Sequence, residues 1–445
     1  MSASKLERTG AIAIALGGMI GGGIYAVFGV VARLTGPATW AAFVLAGAVA
    51  TCAAYSFNAL NSIVDDSGGS VTFVQAFVGN HTAAGMVGWT LLFGYVGSMA
   101  MYASAFAEFT VGFAVVPGSL AGLSLRPVVA VLAVAGFVGL NLLGAQATGT
   151  TEVVLVAAKV AILFAFGVVG LVFLGVWEPQ PVKTGVAELA GTGPVMAAAV
   201  SFVAFQGWQL LFYDQDSIED PVSTVRESVY ISIPVAVLVY VLVAVVTVNV
   251  APQALQQRPH VALAKAAERM LGPVGLSAVA YVVISLSALL STGSAINATL
   301  FSSAHFAKGL LSEDLLPDRI GDGDADGVPT RTVLVLGAVT AAFAASGGLG
   351  AVTSFASLAF IAVFGVVSAI AFSERDRDAV NPIPPALGLV GAASFLPLLF
   401  YHLFWAERPT FWLVLVLAVV VLGLELLYFE RDLVEEEAAM VESLV

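Results

Sequence analysis

"GGMIGGGIYAVFG" fills residues 17–29, inside an apolar stretch running from about Gly10 to Ala32. A run of that length crosses a bilayer as a helix, at about 20 residues for a 30 Å hydrocarbon core. Six of these thirteen residues are glycine, three of them consecutive. Each glycine costs a helix roughly 1 kcal/mol relative to alanine. Close helix packing accounts for part of the pattern, because Gly17/Gly21 and Gly18/Gly22 repeat at four residues as small-xxx-small pairs. Successive helical residues turn about 100°, so Gly21, Gly22 and Gly23 point three ways and cannot serve one interface. The alternative is a helix interrupted in mid-membrane. Unwound backbone is tolerated there only where it lines a polar cavity, and its freed amides and carbonyls could grip an anion and a cation respectively.

The whole chain supports a membrane setting. Of its 445 residues, 59% are hydrophobic and 11% charged, against about 25% charged in a soluble globule. Twelve apolar spans are expected, near 10–33, 38–62, 84–116, 127–145, 152–176, 194–214, 228–251, 272–304, 331–346, 349–372, 385–404 and 410–429. Pro, Gly and charge clusters separate them, and 254–270 is polar enough for a helix outside the membrane. The first span is too long for a cleavable signal and is read as retained. One cysteine, Cys52, excludes a disulfide framework or a cysteine metal cluster. No metal site and no cofactor is expected: the four histidines are scattered, and no nucleophile–base pair suggests an enzyme. The net charge of −13 argues against a nucleic-acid partner and suggests a salt-loving host. Lys and Arg slightly favour the loops on the N-terminal side, so both termini are expected in the cytoplasm of a multi-pass cell-membrane protein.

A second interruption is expected in span six. "SFVAFQGWQLLFYDQD" (201–216) places Gln206, Gly207 and Gln209 in an otherwise apolar run. Paired breaks in spans one and six suggest two inverted five-span halves, with a ligand held between them.

These stretches resemble the amino acid–polyamine–organocation (APC) superfamily of permeases. The likeness continues through "TGPATWAAFVLAG" (35–47), "DDSGGSVTFV" (65–74), "FQGWQ" (205–209) with "SIEDP" (217–221), "NATLFSSAHFAKGLLSEDLLPDRI" (297–320) and "VPTRTVL" (328–334). The resemblance implies an all-α membrane protein of 12 transmembrane helices. Its fold would be a LeuT-like 5+5 inverted repeat with discontinuous helices 1 and 6 plus two C-terminal helices. The single membrane domain would divide into 1–176, 194–372 and 385–429, followed by an acidic tail, 430–445.

The resemblance also implies an amino acid substrate. Its carboxylate would sit on the amides of Gly21, Gly22 and Gly23, and its ammonium on carbonyls near Met19, Val203 and Gln206, beside Gly207. Phe202 and Phe205 are the rings nearest the usual aromatic gate, whose position holds Val203 here. Further departures are Gln209 where many relatives carry an acid and His305 where an arginine is usual, which leaves the substrate's identity open. Lys159, in span five, stands where sodium-independent relatives carry an ammonium in place of a sodium ion; Ser287, Ser291 and Ser294 share a face of span eight as its hydroxyl partners. The bland alternative is snorkelling to the interface. Glu108 is read as interfacial, with a gate or proton site as the alternative, Glu152 as interfacial, and Asp214 and Asp216 as solvating the inner end of span six or drawing in cations. The expected activity is secondary active transport of amino acids, proton-coupled or exchanging and sodium-independent. The alternatives are a carrier of polyamines or cationic amino acids, or a transport-dead sensor. The sequence does not fix the oligomeric state.

Overall fold

A computed structural model describes residues 5–64, 69–113, 118–120, 122–143, 149–213, 215–317, 321–323, 328–346 and 348–424. The chain is a bundle of helices: α1 (Arg8–Thr35), α2 (Thr39–Asn61), α3 (Ser70–Val78), α4 (His81–Gly112), α5 (Arg126–Leu142), α6 (Gly149–Val172), α7 (Gly193–Ser201), α8 (Pro221–Val250), α9 (Pro252–Gln257), α10 (Ala262–Met270), α11 (Ser277–Ser312), α12 (Thr330–Ser346), α13 (Leu349–Ser373), α14 (Ile383–Ala406) and α15 (Arg408–Leu424). Seven stretches among the described residues are long and apolar enough to cross a membrane, the first joining α1 and α2, and four shorter apolar helices accompany them. Pro and Gly set many of the boundaries. Pro37, Pro194, Pro221 and Pro252 each sit in a first helical turn, where the missing amide costs nothing. The tail 430–445, and Asp65, Asp66 and Asp214, lie outside the described residues, as do the side chains of Glu152 and Asp216.

One expectation is corrected. Span one is not interrupted: α1 is a single α-helix of 28 residues through all six glycines. The glycines serve close approach on three sides. A Cβ on Gly22 would lie 2.0 Å from the Tyr102 ring of α4; one on Gly23 would meet Tyr240 Oη of α8 at 2.7 Å and the backbone of Ala204 at 3.0 Å. One on Gly21 would touch Ala295 of α11 at 3.2 Å. Three directions therefore reflect three neighbours, and the amides of Gly21, Gly22 and Gly23 stay within helical hydrogen bonding. Dispersion gained where backbones and rings meet offsets the propensity cost.

Span six is interrupted, more extensively than expected. After α7 the chain makes a tight helical turn over Phe202–Phe205, extends at Gln206, takes φ +125° at Gly207, and resumes as tight turns over Trp208–Phe212. Among the described residues, no α-helical turn follows until α8.

The segment preceding α1 is strapped to the exit of this irregular span. Leu6 N donates to Ser217 O (2.7 Å) and Glu219 N to Leu6 O (3.0 Å), a single parallel bridge between Leu6 and Ile218. The Arg8–Glu227 ion pair (2.9 Å) lies beside it, linking α1 to α8. At the other end of α1, the α9–α10 segment lies across the helix, where a Cβ on Gly29 would come within 2.5 Å of Pro259 O.

His260, in that covering segment, has its imidazole pushed down to about 4 by burial, with Arg33 and Arg126 adding repulsion. Neutral histidine is the folded form above that value, while the unfolded chain takes up a proton from about pH 6.5 downward. The unfolded state then binds more protons, so stability falls as pH drops from about 6.5 to 4. His260→Gln should flatten that part of a thermal-midpoint-versus-pH curve; an unchanged slope would remove His260 as its source.

Candidate functional site

The centre of the bundle is built on the break in span six. Interrupting a helix there frees main-chain groups that lipid cannot satisfy. Neighbouring side chains take them up. Gly207 N donates to Gln209 Oε1 (2.6 Å), Val203 N to Ser357 Oγ of α13 (3.0 Å), and Ser357 Oγ in turn donates to Val200 O (2.6 Å). Tyr240 Oη lies 2.6 Å from Met19 O and 2.9 Å from Ala204 O, so one hydroxyl hydrogen is shared by a carbonyl of α1 and one of the irregular span. Gln206 Nε2 donates to Tyr102 Oη, and Gln209 Nε2 to Gln206 Oε1 (3.3 Å). Tyr25 and Ser287 join α1 to α11 through their hydroxyls (2.8 Å).

Gly18 of α1 packs directly on the break: a Cβ on it would sit 2.6 Å from Gly207 Cα. Below that contact lies a cavity of about 300 Å³. Gly10, Ile14, Gly17 and Gly18 of α1 form one wall, with Leu155 of α6, Gln206 and Leu210 of span six, and Ser294, Asn297 and Thr299 of α11. Leu6 and Ile218, the two residues of the strap, also line it. Asn297 is fixed by Asn141 of α5 (2.8 Å).

Lys159 is 3% exposed and donates to Ser294 Oγ at 2.5 Å. The lysine therefore does not snorkel; it points across to α11, onto a serine of the cavity wall. Ser287 is engaged by Tyr25, and the Ser291 hydroxyl is buried without a hydrogen-bond partner among the described residues.

The remaining expected residues fall in different places. Gln206 lines the cavity, and on α1 the lining glycines are Gly10, Gly17 and Gly18 rather than Gly21, Gly22 and Gly23. Met19 O is taken by Tyr240 and Val203 N by Ser357. Phe202 packs edge-on against Phe364 and Phe395, and Phe205 against Tyr240; neither ring lines the cavity. Glu108 pairs with Arg126 (3.1 Å) at the junction of α4 and α5.

Tyr102, Tyr240 and Ser357 are not singled out by the sequence reading. All three are fully or nearly fully buried. A tyrosine midway along an apolar helix is itself a signal, because its hydroxyl must find a partner there. Tyr240→Phe leaves Met19 O and Ala204 O without this donor. It should lower the thermal midpoint of the purified protein, at a cost of about 1–3 kcal/mol; an unchanged midpoint would show that the clamp does not hold the two spans together.

The sequence of residues 6–424 matches the model of the amino acid permease family. The chain belongs to that family. The permease is 29% identical to the inner membrane transport protein YbaT of Escherichia coli over 92% of its own length and 94% of that protein's. It is 31% identical to an uncharacterised protein of Methanocaldococcus jannaschii, covering 71% and 70%. It is 25% identical to the methylthioribose transporter of Bacillus subtilis, covering 80% and 77%. Among solved structures, the permease is similar to the manganese transporter of Eremococcus coleocola, with a TM-score of 0.59, 13% identity, and 94% and 92% of the chains covered. That likeness is one of fold, and the fold is LeuT-like. The permease is thus a multi-pass membrane protein built for moving a small solute.

Proposed function

We propose that this permease carries amino acids across the cell membrane by alternating access, independently of sodium, in exchange or together with protons. On this reading it has twelve crossings, two inverted five-span halves and two further helices, with both termini in the cytoplasm. The observation that carries the proposal is Lys159: a buried lysine bonded to Ser294, and Ser294 lines the cavity beneath the break in span six. A lysine held there supplies an amine between α6 and α11 that can gain or lose a proton with the position of the bundle formed by α1, α2, span six and α8. Substrate in the cavity meets the Gln206 amide and the hydroxyl and amide groups of α11.

The described lining of that cavity holds no carboxylate, which favours a neutral or zwitterionic substrate over a polyamine. Reconstituted uptake of a radiolabelled amino acid panel, with sodium and proton gradients varied separately, tests the proposal. Uptake that follows sodium, or absence of flux with ligand still bound, would overturn it; the second outcome would make the chain a sensor.

A further inference from the structure

We propose that the permease has a second substrate subsite, at the mouth on the N-terminal side of α1, that receives the ammonium end of an amino acid. The inference rests on the transport reading above and adds a location to it.

A cavity of about 340 Å³ adjoins the first. The two share Leu210, Phe301 and Ser302, which form a waist between them. Each is at the lower end of the size range for small-molecule sites. Their chemistry differs. The described wall of the first carries no charged or titratable side chain, whereas the second carries Glu313 and His305 together with the rings of Tyr213 and Phe306.

These groups converge on a cation. Gln75 Nε2 holds Glu313 Oε2 at 3.3 Å, positioning the carboxylate at the rim through a neutral donor. His305 Nδ1 lies 2.9 Å from Phe301 O. A carbonyl can only accept, so Nδ1 bears the hydrogen and the ring is held by α11's own backbone. The Tyr213 and Phe306 rings pack 5.0 Å apart and line the same cavity, where aromatic carbon suits an ammonium group. A zwitterion leaving the uncharged cavity through the Leu210–Phe301–Ser302 waist thus meets a carboxylate, an imidazole and two rings before it reaches open solvent. Loading from that side meets the same groups first. The subsite consequently sets affinity at one face of the membrane and not at the other.

Two substitutions probe it. Glu313→Gln removes the charge. Gly309→Phe fills the cavity without removing any polar group: Gly309 lines it, and a Cβ there meets nothing within 4 Å. Radiolabelled alanine transport is measured in right-side-out and inside-out vesicles from the same membranes. Each variant should raise KM at least fivefold at the face carrying the N-terminus and leave KM at the opposite face within twofold. The unchanged face also shows that the variant is folded. KM moving equally at both faces, or at neither, would overturn the subsite. If wild-type vesicles move none of the amino acids in the panel, the transport reading fails and the subsite with it, an outcome visible without any variant.

Discussion

Lys159→Ala is expected to lower the initial rate of amino acid uptake at least tenfold and to flatten its dependence on external pH. A lysine at mid-bilayer costs roughly 2.5–3.5 kcal/mol on insertion scales, so a carrier that only needed a helix there would be more stable with alanine. Here the side chain is buried and committed to Ser294, and Ser294 sits on α11 directly beside Ala295, the residue that Gly21 of α1 touches. Removing the side chain takes away the titratable group between α6 and α11, which on the proposed alternating-access cycle move past each other. The effect should therefore appear in transport and its pH dependence, with little loss of thermal midpoint. Proteoliposome uptake across a pH series checks this. A variant with unchanged pH-driven uptake would remove Lys159 from the coupling step.

Gly207→Ala should have a comparably large effect, on folding. Its φ of +125° lies where L-residues are rarely found. The added Cβ would meet Gly18 Cα at 2.6 Å and Gly18 C at 2.8 Å, main-chain atoms that cannot rotate away. Backbone strain of about 1–3 kcal/mol then adds to overpacking of similar size. Little monodisperse protein should survive extraction, and what survives should melt well below wild type. Gly309→Ala is the matching control: its Cβ meets nothing within 4 Å, and helix propensity alone should leave it neutral or slightly more stable. Equal melting of Gly207→Ala and wild type would mean that the contact between α1 and the break does not organise the centre.

Much of the helical pattern was legible because its signals are local. Prolines opening helices, glycines and charge clusters between them, and runs of apolar length are all properties of a short window. The break at Gln206–Gly207 was legible for the same reason, since a polar pair in an apolar run has few places to go. The glycines of α1 were misread because glycine has two meanings that a window cannot separate. Flexibility would unwind the helix; absence of a side chain lets a neighbour come close. The second meaning depends on Tyr102 and Tyr240, about 80 and 220 positions away in sequence, and becomes visible only once the helices are assembled. Ser357 was hidden similarly: a serine in a buried helix has no sequence mark that says it will pin the backbone of another span. Lys159 stood out because charge in an apolar run is rare, but its pairing with Ser294 depends on how α6 and α11 are assembled.

The unbroken first helix has a mechanical consequence. Its 28 residues make a rod of about 42 Å, tied near one tip to Ile218 by the Leu6 strap and pressed near the other by Pro259. On the alternating-access reading proposed above, a rod that does not fold in the middle would act as a seesaw on the fulcrum where Gly18 and Gly22 rest against Gly207 and Tyr102. Tilting it by about 10° swings its tips by roughly 4 Å in opposite senses, given that length. On that reading, whatever widens one doorway would narrow the other in the same stroke, and the stiffness of a single helix would suppress leak across both at once.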